Sequence, residues 1–150
     1  MFLFLYIVNN CDKIKKIFVR LIMNKQLVVA TFFSETKNDF EVMDSIIKSS
    51  NMNFHKVKSL ALESAIDFNS YFSGITVMLC GEDDAVELHK RLCQASACGN
   101  FSAYAVSGVE MKDVEVMFNK VHTELQSVND VVCIMHENKI PFKSIPLLDH

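Results

Sequence analysis

His89 and Cys93 stand four residues apart, close to one helical turn, and Cys98 follows five residues later. Imidazole and thiolate are zinc ligands, and a structural zinc site closes a tetrahedron of four such groups. Cys80 is the fourth candidate, carried on the preceding apolar run. No second closely spaced pair completes the set, so the spacing favours a packed helix face over a metal centre, and no cofactor is expected. The same thiols raise a second chemistry. A nucleophilic cysteine needs a base within hydrogen-bond reach, and nothing in the spacing sets one of the five histidines beside Cys80 or Cys133. Packing as small hydrophobes is the expectation for both.

Glu82, Asp83 and Asp84 form an acidic cluster directly after the apolar run Ile75–Cys80. Ligands of α/β sheets gather at the carboxyl ends of strands, and three carboxylates there suit Mg²⁺ with its water shell. Acids also complement the positive end of a helix dipole. Capping alone therefore accounts for them, and the ligand-binding role is the rival reading. Phe68, Tyr71 and Phe72 make an aromatic group in a stretch read as an irregular link, Ala65–Ser73. Such a group either covers the core or, where exposed, supplies a protein interface. No Walker loop, G-x-G-x-x-G, G-x-S-x-G or H-E-x-x-H motif is present.

Leu27–Phe33 is a continuous apolar run rich in β-branched and aromatic residues, which predicts a strand buried on both faces. Asn38 and Glu41 have capping-box spacing ahead of Phe40, Met43 and Ile47, which predicts a helix over 39–49. His55–Ser64 alternates with period two, with Val57 out of phase as at a bulge. Ala85, Leu88, Leu92 and Ala95 form a helical stripe that Gly99 is placed to stop, and Phe101–Val106 alternates as a strand. Ser107 and Glu110 cap a helix whose stripe is Met111, Val114, Phe118, Val121 and Leu125. Asn129–Asp130 reads as a turn, Val131–Met135 as a short buried strand, and the tail with Pro141 and Pro146 as extended.

The resulting order, β-α-β-β-α-β-α-β, is an α/β (α+β) pattern. Its first six elements follow the split βαβ, ferredoxin-like plan, with a helix and a strand added. Enzymes, ligand sensors and interaction modules share that plan, so it does not choose among them.

Composition narrows the classes. The 150 residues are half hydrophobic and 22% charged, the balance of a globular domain. Residues 1–22 hold Lys13, Lys15, Lys16 and Arg20 against Asp12, so that segment carries +3 and the remainder −6. An acidic body opposes nucleic-acid binding. Met1–Val8 is too short to span a membrane and lacks a signal peptide's flanks. The segment 1–22 is read as an extension, with Met23 a second candidate start, and 23–150 as one α/β domain. Five cysteines without a secretory signal predict reduced thiols in the cytoplasm. The Lys, Asn, Phe and Ile usage associates with AT-rich genomes, those of large phages and other viruses among them. The leading expectation is a non-enzymatic binding or regulatory module that acts through protein contacts and forms a homo-oligomer. The alternative is a small enzyme or a small-molecule or metal sensor with its site near Cys80–Asp84.

Overall fold

The computed structural model describes residues 26–97, 99–120, 125 and 127–147. The expectations for residues 1–22, Cys98 and Val121 lie outside them. The described residues build a mixed α/β structure: an open five-stranded antiparallel sheet and four helices. The strands are β1 (Leu27–Ser34), β2 (His55–Ile66), β3 (Asn69–Cys80), β4 (Asn100–Val106) and β5 (Phe142–Ser144). The helices are α1 (Lys37–Lys48), α2 (Glu82–Gln94), α3 (Met111–Asn119) and α4 (Val128–Glu137).

The sheet order is β2-β3-β1-β4-β5, every pairing antiparallel. Central β1 is apolar on both faces because both are covered. Val28, Ala30 and Phe32 point to a cluster with Phe40 and Met43 of α1 and Ala85, Leu88 and Leu92 of α2. Val29 points the other way, to a cluster with Val114 and Phe118 of α3 and Val131, Ile134 and Met135 of α4. Alternation along one strand thus feeds two cores. Among the described residues no buried side-chain nitrogen or oxygen lacks a hydrogen-bond partner.

Several local expectations are corrected. Helix α1 begins after Thr36, so Asn38 lies inside its first turn and is not the cap. Helix α3 is capped by Glu110 with Asp113 in a capping box, not by Ser107. Helix α2 ends at Gln94, and its closing turn uses Ser96, at φ 55, not Gly99. The Ala97 N–H then reaches the Leu92 carbonyl at 3.0 Å, the pattern of a Schellman turn. Gly99 serves close approach instead, since a Cβ there would stand 2.6 Å from the Phe32 ring.

The run Val131–Met135 is helical, not a strand. Ser127 and Asp130 exchange side-chain and backbone hydrogen bonds as a capping box, so Asn129–Asp130 is the first turn of α4. The added elements are therefore two helices and a strand. The last, β5, is a three-residue edge strand on β4 between Pro141 and Pro146. Prolines donate no ladder hydrogen bond, so they bracket the strand tightly.

The stretch 65–73 is the largest correction. It is no loop: β2 and β3 run through it as one long hairpin paired from His55↔Leu79 to Ile66↔Asn69, with an irregularity between Lys56 and Lys58 as Val57 foretold. Asp67 and Phe68 alone make the turn, at φ 53 and 69, the two positive φ angles of a type I′ turn.

Candidate functional site

Two regions at opposite ends of β1 collect the residues singled out by type and spacing. At the end where β1 starts, an open cleft of about 940 Å³ is lined by Gln26, Leu27, Met52–His55, Leu79–Asp84 and Met111. The structure thus brings Cys80, Glu82, Asp83 and Asp84 to one cleft. Glu82, Asp83 and Asp84 occupy the first turn of α2, where the helix dipole favours them. Asp84 also accepts a hydrogen bond from the Asn53 backbone N–H at 3.3 Å. Opposite, His55 pairs with Glu115. Burial pushes the Cys80 thiol up to about 12, and the Asp84 charge adds to the shift. A thiol held protonated is a poor nucleophile.

The remaining metal candidates sit elsewhere on α2. His89 and Cys93 do share a helix face, with Nε2 3.6 Å from Sγ, but the imidazole packs against the Phe101 ring at 5.8 Å. Among the described residues no group of three His, Cys, Asp or Glu side chains is placed to hold a metal ion. Cys133, expected in the core, is exposed. The helix that replaced its predicted strand turns Val131, Ile134 and Met135 inward and leaves position 133 outside.

At the other end lies the distal half of the β2–β3 hairpin. Strand β1 pairs with β3 from Val28↔Cys80 to Ser34↔Gly74 and stops there. Residues 62–73 therefore run on as a two-stranded arm beyond the sheet. Pairing register assigns their faces, because cross-strand partners point the same way. Ala61↔Gly74, Glu63↔Phe72 and Ala65↔Ser70 face the α1 side. There the Phe72 ring packs at a tilt against Phe40, centroids 5.6 Å apart, and Glu63 bonds Lys37 at 2.7 Å. That hydrogen bond, with the attraction of the carboxylate, raises the lysine's pKa. Gly74 makes the packing possible: a Cβ would meet the Phe40 ring at 2.9 Å.

Leu62↔Ser73, Ser64↔Tyr71 and Ile66↔Asn69 face the opposite way. Leu62, Tyr71 and Ile66 are 53–58% exposed there, and Phe68 at the tip is fully exposed. Tyr71 sits diagonally between Leu62 and Ile66, a reach that aromatic side chains span. The aromatic trio thus divides: Phe72 turns inward, while Phe68 and Tyr71 face solvent. Sequence reasoning named these three but missed Leu62 and Ile66. Continuing the alternation of Leu60 and Leu62 past Ser64 would have found both.

Comparison with protein-family models, curated proteins and solved structures finds no match. Among the described residues no helix is long and apolar enough to cross a membrane.

Proposed function

We propose that this chain is a non-enzymatic binding or regulatory module that acts through protein contacts, with the distal β2–β3 arm as its contact surface. One observation carries the reading: Leu62, Ile66, Phe68 and Tyr71 hold an apolar surface outside the body of the sheet. Contiguous apolar patches are uncommon on monomer surfaces and mark interaction sites. Phe68 adds weight. A bulky residue in the left-handed region is strained by about 1–2 kcal/mol, and Phe68 gains no burial in return. Backbone strain at an exposed aromatic points to a role outside folding. The framework is read as a ferredoxin-like split βαβ core, supported by the order β2-β3-β1-β4 and by α1 and α2 lying over one face.

The test is capture of binding partners from host cells by the wild-type chain and by a Leu62→Ser, Ile66→Ser, Tyr71→Ser variant of unchanged melting temperature. The reading expects contacts that the variant loses; identical captured sets from both chains would overturn it.

The cleft supports a second reading, a small-molecule or metal sensor, because Glu82, Asp83 and Asp84 line an open volume beside the end of β3. That reading expects a metabolite or divalent cation to raise the melting temperature, and Asp83→Ala with Asp84→Ala to remove the rise. No shift across a metabolite and metal panel would exclude it.

A further inference from the structure

We propose that the partner of the arm is a second copy of this chain, paired antiparallel along β2 about a two-fold axis centred on Leu62. This inference rests on the arm being a contact surface and names what covers it. Among the described residues, strand β2 is the outermost strand on its side of the sheet. None of the backbone hydrogen bonds found outside helices and strands among the described residues involves it. An uncovered strand edge is a template for another strand.

The lysines and the irregularity that blunt this edge sit at its base. Lys56, Lys58 and the irregularity between them occupy the base, where Lys56 is held by Asp44 and the Lys58 amine reaches the Phe118 carbonyl at 3.4 Å. From Lys58 to the turn the edge is regular, and Leu62 is its midpoint.

A two-fold axis normal to the sheet keeps like faces together, so residues of the same parity oppose one another. Centring on Leu62 sets Leu62 against Leu62, Leu60 against Ser64 and Ala61 against Glu63. Centring on Glu63 would oppose two carboxylates, which is unfavourable. Charge along the edge selects the same antiparallel partner. Lys56 and Glu63 pair within the chain, with Asp44 and Lys37, while Lys58 stands at the base and Asp67 at the turn. In the register centred on Leu62, Lys58 opposes Ile66, so Asp67 of each copy comes diagonal to Lys58 of the other. Phe68 of each copy then comes opposite its mate's Lys56, where an aromatic face meets a cation.

Light scattering of the full chain across the micromolar range tests this. The wild type is expected to be dimeric, and Leu62→Lys folded but monomeric, with the dimer weakened by at least about tenfold, or 1.4 kcal/mol. Ile66→Lys serves the same purpose should Leu62→Lys fail to fold. Leu62→Cys in a Cys133→Ser background is expected to form an intersubunit disulfide on oxidation. A monomeric wild type, or a dimer that survives both lysine variants, overturns self-pairing. A dimer lost in the lysine variants but not trapped by Leu62→Cys overturns the Leu62 centre. Should self-pairing fail while arm-dependent capture of a different protein persists, the interaction reading stands; should the arm variants alter neither, both fall.

Discussion

The two halves of β3 obey the same period-two geometry and meet opposite fates. Ile75–Cys80 is buried throughout, flanked by β1 and β2 and covered by helices on both faces. Asn69–Tyr71 is exposed, and among the described residues its only strand partner is β2. Burial of both faces makes the first half insensitive to which residues alternate, hence the unbroken run ITVMLC. The second half has one covered patch, where Phe72 meets Phe40, and one bare face. A two-stranded ribbon alone is marginal in water, so the arm's order depends on the Phe40–Phe72 packing, the Lys37–Glu63 pair and whatever covers Leu62 and Tyr71.

Truncation breaks this comparison most strongly. Met78→Ala, in the fully buried half, is expected to cost about 2–5 kcal/mol, read by denaturant unfolding, while Tyr71→Ala in the arm stays within about 0.5 kcal/mol for a surface site. Equal losses would mean the arm is as integrated as the core.

The next largest effect falls at the boundary. Gly74→Ala places a methyl 2.9 Å from Phe40 and 3.0 Å from the Phe72 ring. It is expected to cost about 1–3 kcal/mol as overpacking and to raise hydrogen exchange in 62–73 ahead of the rest of the sheet.

A pH scan sharpens the contrast from the cleft side. Below the ordinary thiol pKa of about 8.5, Cys80 is protonated folded and unfolded alike. Above it the unfolded chain ionises, while the buried thiol holds its proton up to about 12. Its contribution to stability is thus complete below pH 8.5 and is lost as pH rises toward 12. The melting temperature should fall across that window, and Cys80→Ala should flatten the fall.

The smallest effect is at the tip. Phe68→Gly removes left-handed strain and no packing, so it should leave stability unchanged or raise it by up to about 1 kcal/mol. A loss of stability would show that Phe68 packs on something.

The alternating and stripe-forming segments were legible in the sequence. The runs 27–33 and 75–80, the stripe Ala85–Leu88–Leu92 and the phase break at Val57 all appear as their residues imply. Val131–Met135 was misread because a five-residue apolar run carries no period of its own. Its helix is declared upstream, by Ser127 and Asp130. The hairpin was misread because its turn is Asp67–Phe68, where type I′ geometry usually recruits Asn-Gly or Asp-Gly. Without that glycine the three aromatics looked like one cluster, and only the register divides them. The acids at 82–84 were placed correctly at a strand end and helix start, but a cleft assembled from four separate segments has no linear signature.

The proline-bracketed strand β5 has a consequence for how far the sheet can grow. One side of the sheet ends in a long open β2 and the other in three residues between Pro141 and Pro146. Strand addition in register needs length and donors, and β5 offers little of either. A sheet with one receptive side can recruit a single neighbour. If that neighbour is a second copy, the receptive sides consume each other and β5 terminates both ends of the joined sheet. Growth would then stop at two, so the same exposed strand that would seed fibres on a symmetric sheet would yield a finite pair here.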